Sequence, residues 1–113
     1  MARGDSLLVQ LPFQGTHEQA GTRPAVDVGN DALSGRIPMR LVVPITSKPS
    51  ALRIPLSVIL QPTALNQLTT ESYALVVHLR ALDPTRIVRP IGKLDPLDMA
   101  SVEAAIRTLP SLK

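Results

Sequence analysis

Short apolar-rich segments, each bounded by Gly, Pro, Asn or Ser, dominate the pattern along the chain. This arrangement predicts strands at residues 5–11, 24–28, 39–45, 52–59 and 73–82, with a shorter one at 86–90. Eleven prolines sharpen these limits, because proline lacks the amide donor of a ladder and sits at strand starts, edges and loops. On the strand at 39–45, Leu41, Val43 and Ile45 share one face and Thr46 falls on the other. The polar stretch 61–72 separates two of the strands, with room for a short helix over 63–68.

Only near the C-terminus does the periodicity change. Val102, Ala105, Ile106 and Leu109 recur at helical spacing and form one apolar stripe. The start is marked by Asp95, which can cap free amides, by Pro96 at the first helical position and by Asp98 in the first turn, where a negative charge suits the helix dipole. Leu94 is the apolar staple ahead of the cap, and Pro110 discourages continuation. Many short strands and one terminal amphipathic helix predict a mainly β domain. Its form is a small SH3-like barrel or strongly bent antiparallel sheet with the C-terminal helix packed against it.

A chain of 113 residues is one domain, 1–113, able to bury about 65% of its unfolded surface. It has no cysteine, so neither a disulfide framework nor a thiolate metal site can form. No metal and no cofactor are expected. The one early apolar run, 7–13, is too short for a signal-peptide core or a membrane span, which predicts a soluble, cytoplasmic protein. Twelve basic and nine acidic residues give a net charge of +3, a modest bias toward polyanions. Nine of the twelve are arginine, whose planar fork suits bidentate phosphate contacts. With only Phe13 and Tyr73 aromatic, base-stacking platforms are disfavoured, and a nucleic acid would be held through phosphates and polar base contacts.

The candidate chemistry is concentrated in His17-Glu18-Gln19-Ala20-Gly21-Thr22-Arg23-Pro24 and Val43-Pro44-Ile45-Thr46-Ser47. Arg23 precedes a proline and so projects where a loop enters a strand. It is either a phosphate clamp or a surface arginine in an ion pair. Thr46 either donates its hydroxyl to a phosphate oxygen or satisfies the backbone of its own turn. His17 and Glu18 are the acid-base candidates, since imidazole titrates near neutrality and a carboxylate can accept a proton. Asp27 interrupts an aliphatic strand. A buried unpaired carboxylate is costly, so Asp27 is expected to be exposed or paired with an arginine, Arg23 being within reach; that pairing would compete with phosphate.

These two segments resemble the MazF/PemK family of toxin ribonucleases. So do Arg3-Gly4-Asp5 at the start, and Arg80-Ala81-Leu82-Asp83 and Ile91-Gly92-Lys93-Leu94 later, all in order. The resemblance implies a homodimeric, metal-independent endoribonuclease that cuts single-stranded RNA by attack of a ribose 2'-hydroxyl and is neutralised by an acidic, flexible antitoxin. Arg23, Thr46, Glu18 and His17 match its catalytic positions, and Gln19, Ser47, Lys48, His78 and Arg80 are the candidate RNA contacts. Two departures stand out. From Pro12 to His17 the chain is one residue longer than the usual pattern. Leu75-Val76-Val77-His78 also lacks the arginine and aspartate that some members carry there, and His78 replaces their glutamine. Two rival functions remain: a non-enzymatic toxin that binds a topoisomerase, as CcdB relatives do, and a member that binds RNA or antitoxin without cutting.

Overall fold

The computed structural model describes residues 2–11, 21–29 and 39–109. Among the described residues, seven strands form one antiparallel sheet: β1 (Asp5–Gln10), β2 (Thr22–Asp27), β3 (Arg40–Thr46), β4 (Ser57–Leu60), β5 (Ser72–Leu75), β6 (Arg80–Leu82) and β7 (Ile87–Lys93). Their order is β4-β5-β3-β2-β1-β7, with β6 also on β3, and the sheet stays unclosed, as the strongly bent alternative predicts. One helix, α1 (Pro96–Thr108), follows β7.

Strand β3 organises the bend. One edge pairs with β2, and the other is shared, Arg40 to Val42 with β6 and Ile45 to Thr46 with β5. The single strand expected at 73–82 is therefore two, separated by a 3-10 turn at Val76–His78. That turn drops Val76 into the core while His78 faces outward. The strand expected at 52–59 is also shorter. Pro49 starts a 3-10 turn at Pro49–Arg53, and Leu56, with φ 62°, breaks the extended run so that pairing begins only at Ser57. No helix forms over 63–68; residues 61–71 are a turn-rich loop, and Ser72 opens β5.

Alternation along the strands sends neighbouring residues to opposite faces, and both faces are covered. Val26, Val43, Ile45, Leu60, Ala74 and Val76 pack with Leu94, Met99, Val102 and Ala105 beneath α1. Leu7, Val9, Leu11, Ala25, Val42 and Leu82 form a second cluster on the other side. Leu41 lies on the same face of β3 as Val43 and Ile45 but is not buried with them; it is 41% exposed. The helix starts as the sequence predicts: the Asp98 amide donates to Asp95 Oδ1 at 2.8 Å, and Leu94 is buried ahead of the cap. Met99 extends the predicted stripe by one turn. Among the described residues no helix is long and apolar enough to cross a membrane.

Residues of the segments beginning at Arg3, Arg80 and Ile91 have structural roles here. Gly4 has φ 95°, its amide donates to Asp27 O at 2.7 Å and its carbonyl accepts from the Leu94 amide at 2.9 Å, tying the N-terminus to β2 and to the start of α1. Arg3 Nε meets Glu103 Oε2 at 2.9 Å, and its Nη1 donates to Val28 O. Asp83 caps a 3-10 turn by accepting from the Thr85 amide and hydroxyl at 2.9 and 2.8 Å, which holds its carboxyl below the usual range.

Candidate functional site

Strands β2 and β3 pair up to Ala25 opposite Pro44. The ladder stops where prolines 24 and 44 bring no amide hydrogen to it. Extended by one two-residue step, that register would set Arg23 on β2 opposite Thr46 on β3. Arg23 and Thr46 line a cleft of about 530 Å³ together with Pro24, Ser47 and Lys48. Leu8, Ile45 and Ile91 contribute apolar surface, and Gln67, Thr69, Thr70 and Ser72 bring polar groups from the loop before β5 and from its first residue. A smaller recess of about 200 Å³ also takes Arg23, Thr46 and Lys48 and continues to Ser50 and Leu75.

The Thr46 hydroxyl accepts a hydrogen bond from the Lys48 amide at 3.2 Å. This is the turn-satisfying use of threonine, and it does not remove the other: a hydroxyl that accepts with a lone pair keeps its proton to donate. The bond fixes the Oγ1 position and turns Ser47 and Lys48, both exposed, along the cleft. Arg23 is half-buried at the cleft. The combination is a forked cation, a hydroxyl donor and an ammonium around one space, which suits a phosphate group.

Asp27 is paired with an arginine, as expected, but the partner is not the suggested one. It is fully buried, and its partner is Arg40, not Arg23: Arg40 Nη2 donates to Asp27 Oδ2, and the Gly29 amide donates to Oδ1 at 2.9 Å. The carboxylate therefore does not compete with phosphate at Arg23. Register explains the choice, since Asp27 faces Val42 across the ladder, two residues from Arg40 and four from Arg23 on its own strand.

Of the other expected site residues, His78 and Arg80 are not brought to the cleft. His78 is exposed on the 3-10 turn, and Arg80 pairs with Val42 near the far end of β3. His17, Glu18 and Gln19 lie outside the described residues. Thr22, which follows that segment, lines the cleft. Gln67, Thr69 and Thr70 carry no local signal in the sequence, because nothing in the polar loop says which of its side chains reach the site. Among the described residues no three His, Asp or Glu side chains group as metal ligands.

Fold and cleft together define a small, unclosed β-sheet protein with a site suited to a phosphate-bearing ligand. A family model described as "PemK-like, MazF-like toxin of type II toxin-antitoxin system" matches residues 2–109. The chain is 34% identical over 107 residues to Endoribonuclease MazF of Staphylococcus saprophyticus, covering 94% of this chain and 88% of that protein. It belongs to this PemK-like, MazF-like toxin family. Among solved structures, the fold is similar to MazF from Deinococcus radiodurans, with a TM-score of 0.74 at 24% identity over 97% of this chain and 96% of that one. It is also similar to a mycobacterial endoribonuclease solved in complex with its cognate antitoxin, with a TM-score of 0.70 at 19% identity over 98% and 93% of the two chains.

Proposed function

We propose that this chain is an endoribonuclease toxin, a single domain spanning 1–113, that cleaves single-stranded RNA and is neutralised by a cognate antitoxin. The observation that carries the reading is that Arg23 and Thr46 line one cleft in a chain of this family. In the proposed reaction the ribose 2'-hydroxyl gives its proton to a base and attacks the adjacent phosphorus. The bond to the 5'-oxygen breaks, leaving a cyclic phosphate on one fragment and, after protonation, a 5'-hydroxyl on the other. The protein supplies no nucleophile, so its work is positioning, charge stabilisation and proton transfer.

Arg23 clamps the scissile phosphate through its fork and offsets the charge that builds on the phosphoryl oxygens. Thr46 donates its hydroxyl proton to one of those oxygens. Lys48 and Ser47 hold the neighbouring backbone. Proton transfer is assigned to the His17-Glu18 segment, with Gln19 as an RNA contact, and His78 and Arg80 meet phosphates further along a longer RNA. Uncontrolled cleavage of message would inhibit growth. The antitoxin partner is proposed to carry an acidic, flexible segment that folds onto the cationic cleft, and the toxin to act as a homodimer.

Incubation with a long transcript, with and without excess chelator, tests the reading. Cyclic phosphate and 5'-hydroxyl ends that form equally in both support it. A strict magnesium requirement, or 5'-phosphate ends, refutes the mechanism. Intact RNA together with tight topoisomerase binding favours the rival class. Light scattering checks the assembly, where a monomer of about 12.1 kDa at micromolar concentration contradicts the homodimer.

A further inference from the structure

The loop joining β4 to β5 is built with more internal bonding than its polar sequence predicts. Its hub is Asn66, 1% exposed, whose Oδ1 accepts from the amides of Thr63 and Leu68 at 3.0 and 2.9 Å and whose Nδ2 donates to Gln61 O at 2.9 Å. The Thr63 hydroxyl accepts in turn from the Asn66 amide at 2.9 Å. Glu71 ties the two ends together, accepting from Gln61 Nε2 at 2.8 Å and from the Tyr73 hydroxyl at 2.6 Å. The loop is also fastened to β1 and β7: Ser6 Oγ donates to Asn66 O at 3.1 Å and the Lys93 amide to Leu65 O at 3.0 Å. Gly92 lies so near that a Cβ there would stand 2.3 Å from Leu65 O.

All of this holds the residue after the hub, Gln67, in an unfavourable backbone conformation. Its φ is 60°, the left-handed region that favours glycine. Strain kept in place by an over-determined surround is a pointer to function when it falls at a site, and Gln67 is exposed and lines the cleft with Arg23, Thr46 and Lys48. Its Nε2 donates to Ala64 O, which orients the carboxamide. One N–H and the carbonyl oxygen of the same carboxamide remain, a donor and an acceptor in one plane. That pair matches the edge of a nucleobase. Stacking offers no alternative in the described part of the cleft, since Tyr73 is 4% exposed and is held by Glu71.

We propose that Gln67 is a specificity-determining residue, its carboxamide reading the donor-acceptor edge of one unstacked base beside the phosphate gripped by Arg23 and Thr46. This rests on the ribonuclease reading above. The rigid loop sets the distance between the base read and the bond cut, so the choice of base is expressed at one fixed position of the cleavage motif.

The test is to map 5'-hydroxyl ends on a long transcript for the wild type, Gln67→Gly and Gln67→Glu, with melting temperatures recorded for all three. Glycine relieves the φ strain, so Gln67→Gly should melt no lower than the wild type. Its cleavage at the best wild-type sites should fall about 10- to 100-fold, with preference lost at one motif position, because a good paired base contact is worth that much discrimination. Gln67→Glu keeps acceptors without a donor and should change the preferred base at that same position. An unchanged motif in both variants overturns the proposal, and so does a uniform loss of rate at every site with the motif intact. If the wild type cuts no transcript, the ribonuclease reading fails and takes this one with it, whereas cleavage with an unchanged motif in both variants refutes Gln67 alone.

Discussion

Replacing Asp27 by valine leaves the Arg40 guanidinium in the interior without its carboxylate. Arg40 is 9% exposed, Asp27 is fully buried, and the Gly29 amide loses its acceptor in the same step. Removing one member of a buried ion pair costs about 3–5 kcal/mol, and an orphaned amide about 1 kcal/mol more. The added apolar side chain returns about 1 kcal/mol, so the net loss is about 3–5 kcal/mol out of a typical 5–15. With a urea slope of about 2 kcal/mol per M, the unfolding midpoint should fall by roughly 1.5–2.5 M at fixed protein concentration. Asp27→Val with Arg40→Leu should recover to within about 1 kcal/mol of the wild type, since desolvating both charges is itself expensive and Arg40 Nε has no hydrogen-bond partner even in the intact pair. A loss under about 0.5 kcal/mol in the single variant, or a double variant no better than the single, would refute this account. Cleavage by the double variant should persist, because the pair does not hold Arg23.

Arg23→Ala should abolish cleavage and Arg23→Lys should lose most of it, each by roughly 3 kcal/mol or more of transition-state stabilisation, with folding unchanged by circular dichroism. Thr46→Val should also slow cleavage strongly while Thr46→Ser retains much of it; equal rates for the two would remove the hydroxyl from the mechanism. For proton transfer, a pH-rate profile under single-turnover conditions should show an acid limb near about 4.3 that survives His17→Gln if Glu18 is the base, or near about 6.5 and lost in His17→Gln if His17 is. Gly92→Ala should destabilise by about 1–3 kcal/mol in urea titrations, because its Cβ would press on Leu65 O and the Asn66 backbone. The Tyr73 hydroxyl and then the Gln61 amide hold the Glu71 carboxyl below its ordinary value of 4.5. Its contribution is therefore complete above that value and lost as pH falls through the lowered one, so melting temperature should drop more on acidification below about pH 4.5 in the wild type than in Glu71→Gln.

Much of the architecture was legible in the residues because it depends on local rules. Strands β1, β2 and β3 show in runs closed by turn formers, and α1 in a capping aspartate, a proline at the first turn and a stripe of period 3.6. The pairing of Arg23 with Thr46 as site residues came through the resemblance, and the register then gave it a geometric reason. Other features had no local signature. Residues 73–82 carry a continuous extended pattern, yet they divide at the 3-10 turn Val76–His78, and the two short strands pair with different stretches of β3. Asp27 could be assigned a need for an arginine, but its partner was decided by cross-strand neighbours, and sequence separation is blind to those. Residues 61–71 lack periodicity altogether, and their order comes from one buried amide, Asn66, together with the close approach of Gly92. By itself the sequence determined which segments extend, where the helix begins and which side chains could grip a phosphate, since these follow from short-range sterics and hydrogen bonding. Only the tertiary structure decided which of those side chains meet, and at what strained angle Gln67 faces the cleft, because such contacts join residues distant along the chain.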